Sequence, residues 1–190
     1  MRRIGLLGGT FNPPHNGHLI MANEVYDALG LDEVRFMPNA IPPHKQTAHD
    51  ATAEDRMIMT GLSIASHEHF KLEPFEIKSG GISYTYETMR RLTASEPDCE
   101  FYFIIGGDMI DMLDHWYKID ELMELVKFVG VNRPHSKAET TYPVQIIDAP
   151  LIELSSTLIR ERVQSNRTIT FLVPTEVEQF IREEGLYGTR

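Results

Sequence analysis

Residues 6–25 read LLGGTFNPPHNGHLIMANEV. An apolar run, a Gly- and Pro-rich turn and an amphipathic segment follow one another, the order of a strand, a tight exit and a helix. Gly8 and Gly9 let main-chain N–H groups approach a ligand closely, and Pro13 and Pro14 stiffen the entry to the helix. The open N–H groups and positive dipole end of such a helix suit an anion of phosphate size. Neither the G-x-x-x-x-G-K-[ST] of a P-loop nor the G-x-G-x-x-G of a dehydrogenase is present. Two imidazoles, His15 and His18, stand at the helix mouth instead.

Outward from this stretch, short apolar runs alternate with helix-period segments. Strands are expected at Ile4–Leu7, Val34–Met37, Phe70–Leu72, Phe101–Ile105, Phe128–Val131 and Val144–Ile147. Helices are expected at about Gly17–Leu29, Ala53–Ser66, Tyr84–Thr93, Asp120–Leu125, Thr157–Val163 and Thr175–Glu184, the last closed by Gly185. This order predicts an α/β fold, a doubly wound Rossmann-like parallel sheet with helices on both faces. The run EFYFIIGGD, apolar almost throughout, reads as a central strand covered on both sides. A single domain over 1–190 is expected, its C-terminal part, about 150–190, carrying closing helices.

Ligands of such sheets bind beyond the carboxyl ends of the strands. Five predicted strand exits carry polar or cationic residues: GGTFNPPH, PNAIPPHK, GGD, NRP and LSST. His15 and His18, spaced i, i+3, share one helix face, with Gly17 leaving room between them. Two imidazoles beside main-chain donors can stabilise charge growing on a phosphoryl group. Spacing alone also allows a surface pair, a capping histidine or a metal site, although a zincin needs His at i, i+4 with a Glu between.

Ser155, Ser156 and Thr157 are all capping residues, and Arg160 follows one turn later. The run is an ordinary helix start or a clamp for the distal phosphates of a nucleotide. His44, Lys45 and Arg133 are cations in loops, and Asp108 is a ribose partner, a neighbour of a metal or a helix cap. Trp116 and Tyr117 are a rim packing pair or a platform for a flat ring. Thr85 opens a helix whose N–H groups could receive a carboxylate.

Composition bounds the class. A chain of 190 residues with 42% hydrophobic content can bury roughly 70% of its unfolded surface and needs no staples. Its single cysteine, Cys99, excludes an internal disulfide framework and suits a reducing compartment. The run Ile4–Leu7 is too short for a signal peptide or a span, so a cytoplasmic protein without membrane contact is expected. The net charge of -10 speaks against nucleic acid as a partner and leaves a small anionic ligand open. A homodimer is open to such a chain.

Gly9, Phe11, Pro13, His15, Gly17 and His18 fit the G-x-F-x-P-x-H-x-G-H pattern, and Leu154–Arg160 the (I/L)-S-S-T-x-x-R pattern, of the nucleotidyltransferase superfamily, which the chain therefore resembles. With PPHK, SYTYET, FIIGGDM, HWYKI, VNRP and FIREEGLY, it is most similar to the bacterial nicotinate-nucleotide adenylyltransferases. The resemblance implies adenylyl transfer from ATP to nicotinate mononucleotide in NAD biosynthesis, giving nicotinate adenine dinucleotide and pyrophosphate by direct in-line attack without a covalent intermediate. Mg2+ is implied with ATP, held mainly by its phosphates and by no protein ligand set.

It further implies that His15 and His18 bind the reacting phosphates. Gly9, Thr10, Phe11, Gly106 and Asp108 would meet ATP, and Ser155, Ser156, Thr157 and Arg160 its β- and γ-phosphates. His44, Lys45 and Arg133 would line the phosphate path. Trp116 would stack on the pyridine, while main-chain amides near Thr85 and Tyr117 would read its carboxylate. Two alternatives stand beside this: an adenylyltransferase for nicotinamide mononucleotide, and a nucleotide-binding module without turnover. The second would be marked by a broken motif, and both motifs are intact.

Overall fold

Six stretches of alternating or wholly apolar residues form the strands: β1 (Arg2–Gly9), β2 (Glu33–Pro38), β3 (Phe70–Leu72), β4 (Cys99–Gly106), β5 (Lys127–Asn132) and β6 (Val144–Asp148). The computed structural model describes residues 1–41, 51–82, 84–132, 140–150 and 153–189, with the main chain alone at Asp108 and Asn132. The strands make one sheet in the order β3-β2-β1-β4-β5-β6, every pair parallel. The chain winds outward from β1 in one direction and from β4 in the other. The switch point therefore lies between β1 and β4, where their carboxyl ends leave a crevice.

The helices are α1 (Asn16–Leu29), α2 (Ala53–Ile64), α3 (Phe75–Ser79), α4 (Thr85–Ser95), α5 (Gly107–Ile110), α6 (Ile119–Leu125), α7 (Ser156–Gln164) and α8 (Thr175–Glu183). All six expected helices form, with ends shifted by one or two residues. The short α3 and α5, and 3-10 turns at Leu113–His115 and Leu186–Gly188, were not expected, since four or five residues carry too little periodicity to register. Gly185, expected to close the last helix, follows α8 by two positions with φ 62°, a left-handed conformation that favours glycine.

Strand β4 shows why its sequence is apolar throughout. Phe101, Phe103 and Ile105 join the core on one face with Met89 and Leu92 of α4 and Leu122 of α6. Tyr102 and Ile104 join the opposite core with Ala22, Val25 and Leu29 of α1. Helices thus cover both faces, as period-2 alternation requires of a fully buried strand. A third apolar cluster unites α7 and α8 through Ile159, Val163, Val177 and Ile181, with Met59 of α2 and Tyr187. It seats the C-terminal segment beside the exits of β1 and β2.

Between β3 and β1, Arg35 of β2 gathers three carboxylates. It meets Glu33 at 2.7 Å, Glu73 at 3.2 Å and Glu96, just past α4, at 2.6 and 2.8 Å. The bidentate Arg35 bond holds the Glu96 carboxyl below its ordinary value.

Candidate active site

At the carboxyl end of β1 the chain turns through Gly9, Thr10 and Phe11. Phe11 takes φ 49°, a left-handed conformation costing a non-glycine residue about 1–3 kcal/mol and found disproportionately at functional sites. The turn buries the Phe11 ring, 1% exposed, against Phe36 at 5.9 Å between centroids. The same ring meets His18 edge-on at 4.9 Å, so the strained residue fixes one side of that imidazole.

His15 is the N-cap of α1 rather than part of its first turn, and it is 5% exposed. Its main-chain N–H donates to His18 Nδ1 at 3.1 Å. His18 Nδ1 therefore presents a lone pair, and a neutral ring holds its proton on Nε2. The two rings stack at 3.6 Å between centroids, 19° from parallel. Gly17 makes this possible: a Cβ there would lie 3.0 Å from His15 Nδ1. The room expected of that glycine is real.

The second motif folds onto the first loop. Arg160 of α7 donates from Nη1 to the Asn12 carbonyl at 2.9 Å and from Nη2 to Thr157 Oγ1 at 3.2 Å. Ser156 Oγ donates to the Pro13 carbonyl at 2.8 Å, and Tyr187 donates its hydroxyl to Asn12 Oδ1 at 2.6 Å. Ser155 caps α7, accepting from the Leu158 N–H at 3.2 Å. The starts of α1 and α7 thus flank one loop, although they come from opposite ends of the chain. Neither helix carries an acid in its first turn, whereas α2 begins with Glu54 and Asp55 and α8 with Glu176 and Glu178. The positive ends of α1 and α7 are left uncompensated by local carboxylates, which favours an anion there.

The structure also recruits residues that the motifs do not mark. Asn39, just beyond β2, donates its N–H to the Gly9 carbonyl at 3.0 Å and its side-chain amide to Thr10 Oγ1 at 3.3 Å. Arg56 of α2, wholly buried, binds the Thr10 carbonyl at 2.8 Å. Its signal was available: 56, 59, 60, 63 and 64 are the buried positions of α2, so this arginine occupies the core face of an amphipathic helix. Tyr187 and Asn12 carried no comparable pattern.

Gly106 ends β4 and caps α5, beside the end of β1 in the neighbouring strand. Farther along this edge, half-buried Trp116 stands edge-on to Phe103 at 5.9 Å and to Phe128 at 5.8 Å. Tyr117, 47% exposed, lies 4.9 Å from the Tyr84 ring and 6.2 Å from that of Tyr86. The start of α4, with Thr85, is therefore brought beside Tyr117. Glu87 in that first turn is drawn off by Arg90 at 3.0 Å. His44, Lys45 and Arg133 lie outside the described residues, as does the side chain of Asp108. Among the described residues no group of three or more His, Cys, Asp or Glu converges as a metal cage, and no helix is long and apolar enough to cross a membrane.

Residues 6–162 match the cytidylyltransferase-like family. The chain is 56% identical over its full length to a protein of Geobacillus thermodenitrificans named as a probable nicotinate-nucleotide adenylyltransferase, covering 88% of that relative. A Bacillus licheniformis protein of the same name is 49% identical, with both chains covered completely. Among solved structures, nicotinic acid mononucleotide adenylyltransferase of Plasmodium falciparum complexed with NaAD superimposes with a TM-score of 0.85. It covers 100% of this chain and 99% of that one at 19% identity, a likeness of fold.

Proposed function

The chain belongs to the cytidylyltransferase-like family, among its nicotinate-nucleotide adenylyltransferases, and on that premise we propose that it transfers the adenylyl group of ATP to nicotinate mononucleotide. A phosphate oxygen of the mononucleotide attacks the α-phosphorus of ATP. The bond from that phosphorus to the bridging oxygen breaks, and pyrophosphate leaves with the electron pair. No residue of the chain is bonded to substrate along this course, so catalysis consists of positioning and charge stabilisation.

The observation that carries this reading is the pairing of two uncompensated helix starts across one loop, with the stacked histidines at one of them. The histidines attend the phosphates that react, His18 offering Nε2–H while its Nδ1 is fixed from behind. The start of α7, with Ser155, Thr157 and Arg160, receives the distal phosphates. Ser156 serves mainly by holding the Pro13 carbonyl, since its hydroxyl proton is committed there. Gly9, Thr10, Phe11 and Gly106 line the adenosine side through main-chain atoms, with Asp108 beside them, and His44, Lys45 and Arg133 complete the phosphate path. Mg2+ would come in with the triphosphate, held mainly by its phosphates, the usual arrangement for this ion. When bound, it neutralises charge on the leaving pyrophosphate.

Trp116 gives the pyridine a face to stack on, and main-chain N–H groups near Thr85 and Tyr117 receive its carboxylate. An amide in that place sets NH2 against N–H and leaves donors unpaired. The single free Cys99, kept in its thiol form by burial and by Glu96, suits a reducing cytoplasm. A comparison of kcat/KM for nicotinate and nicotinamide mononucleotide, followed as pyrophosphate release with ATP and Mg2+, tests the assignment. A clear preference for the acid is expected; equal use of both, or preference for the amide, refutes the carboxylate pocket.

A further inference from the structure

Arg56 combines full burial with full charge. Of its five N–H donors, four are used: Nη1 reaches the Thr10 carbonyl at 2.8 Å and Asn39 Oδ1 at 3.1 Å, and Nη2 reaches the Asn39 carbonyl at 2.7 Å and the Ala40 carbonyl at 2.9 Å. The fifth, Nε, has no partner among the described residues. Every acceptor is neutral, and among the described residues no carboxylate pairs with this guanidinium. Burial pushes its pKa below the ordinary guanidinium value, with Tyr187 opposing, but arginine remains a cation in proteins. Burying an unpaired charge is costly, and the cost is borne only where oriented dipoles replace water. Carbonyls from two different strand exits do so here.

The bonds close a ring. Asn39 accepts from Arg56 through Oδ1 and donates through Nδ2 to Thr10 Oγ1, while its own N–H holds the Gly9 carbonyl. Thr10 is thereby fixed at both its carbonyl and its hydroxyl, and the next residue is Phe11, whose strained main chain sets the ring against His18. A packing role alone would be met by an apolar side chain, as at Met59 and Ile64 on the same helix face. The planar fork, aimed at four oxygens of two loops, is a geometric specification that only arginine satisfies.

We propose that Arg56 is a positioning residue for the ATP side of the transfer: by clamping Thr10, Asn39 and Ala40 it sets the Gly9–Phe11 turn that receives the nucleotide, and it places a fixed positive charge behind that turn. The proposal rests on the adenylyltransferase reading. It predicts an effect on ATP rather than on the acceptor.

The test uses Arg56→Lys, Arg56→Met and Asn39→Ala, with folding followed by circular dichroism and thermal unfolding. Steady-state kinetics are expressed per folded molecule, varying ATP and mononucleotide separately. An ammonium offers three donors from one point and cannot span the four acceptors. Arg56→Lys therefore folds and loses about 10- to 100-fold in kcat/KM for ATP, the scale of a sub-ångström to 1 Å misplacement, with the mononucleotide KM within about twofold. Arg56→Met shows the same split. Asn39→Ala gives it in milder form, and the Arg56→Lys/Asn39→Ala pair is no worse than Arg56→Lys alone, since both act through one ring.

ATP kinetics at the wild-type level in Arg56→Lys, a loss accounted for entirely by unfolded protein, or a change in the mononucleotide KM alone overturns the proposal. Should both Arg56 variants fail to fold, Asn39→Ala decides: wild-type ATP kinetics there overturns it. A wild type without turnover refutes the acceptor assignment and leaves this role to calorimetric ATP affinity in the same proteins. A tenfold weakening then supports the clamp, and an unchanged affinity removes it.

Discussion

Gly17 occupies the second helical position of α1, over His15, where a Cβ would lie 3.0 Å from His15 Nδ1, 3.1 Å from His15 Cε1 and 3.7 Å from Leu154 Cβ. Ordinary carbon contacts are about 3.5–4.0 Å. In Gly17→Ala the His15 ring must therefore retreat by about half an ångström, and His18, stacked on it at 3.6 Å, follows or loses the stack. Helix propensity favours the substitution by up to about 1 kcal/mol, while a ring forced from its place costs about 1–3 kcal/mol. These nearly cancel, so Tm changes by only a few degrees. Turnover has no such compensation. A 1 Å displacement of a reacting group can cost about 10²-fold, so half of it costs about tenfold in kcat. Thermal unfolding and pyrophosphate release on one preparation measure both. A Gly17→Ala protein with wild-type kcat would show that the placement of the His15 ring does not govern catalysis.

Further outcomes follow from the same geometry. His18→Ala is expected to lower kcat by about 10² or more with the fold retained, as removal of a transition-state donor does, and near-normal turnover would remove His18 from the reacting centre. Trp116→Ala is expected to raise KM for the mononucleotide far more than for ATP; equal changes would place Trp116 with Phe103 and Phe128 as rim packing only. Glu96→Gln tests the Arg35 cluster. Because Arg35 holds the folded Glu96 pKa below its unfolded value, the stabilisation is complete above about pH 5 and is lost as pH falls through the depressed value. Denaturant titrations should show wild type more stable than Glu96→Gln by up to about 1 kcal/mol near neutrality, with the gap closing as pH falls below the ordinary carboxylate range; a gap independent of pH would contradict the pairing.

Strand positions were legible because a sheet buried on both faces leaves near-continuous apolar runs, as at Phe101–Ile105, and because each exit is punctuated by Gly or Pro. The histidine pair was legible from a spacing that survives folding unchanged, although His15 turned out to be the cap. What the sequence could not display is cooperation between distant segments. Arg160 reaches Asn12, Ser156 reaches Pro13, and Tyr187 reaches Asn12 across most of the chain. No local pattern announces that three residues from the C-terminal part support the first loop. Arg56 is the intermediate case: its place on a buried helix face is periodic and readable, but its four oxygen partners depend on the way β1 and β2 lie side by side.

On the proposed function, this chain joins ATP to nicotinate mononucleotide. Incubating it with ATP, Mg2+ and nicotinate mononucleotide, and measuring both products by mass spectrometry, tests it most directly. Nicotinate adenine dinucleotide and pyrophosphate are expected in equal amounts, both abolished when the mononucleotide is omitted. Release of ADP and phosphate instead, or no pyrophosphate with either the acid or the amide mononucleotide, would contradict it.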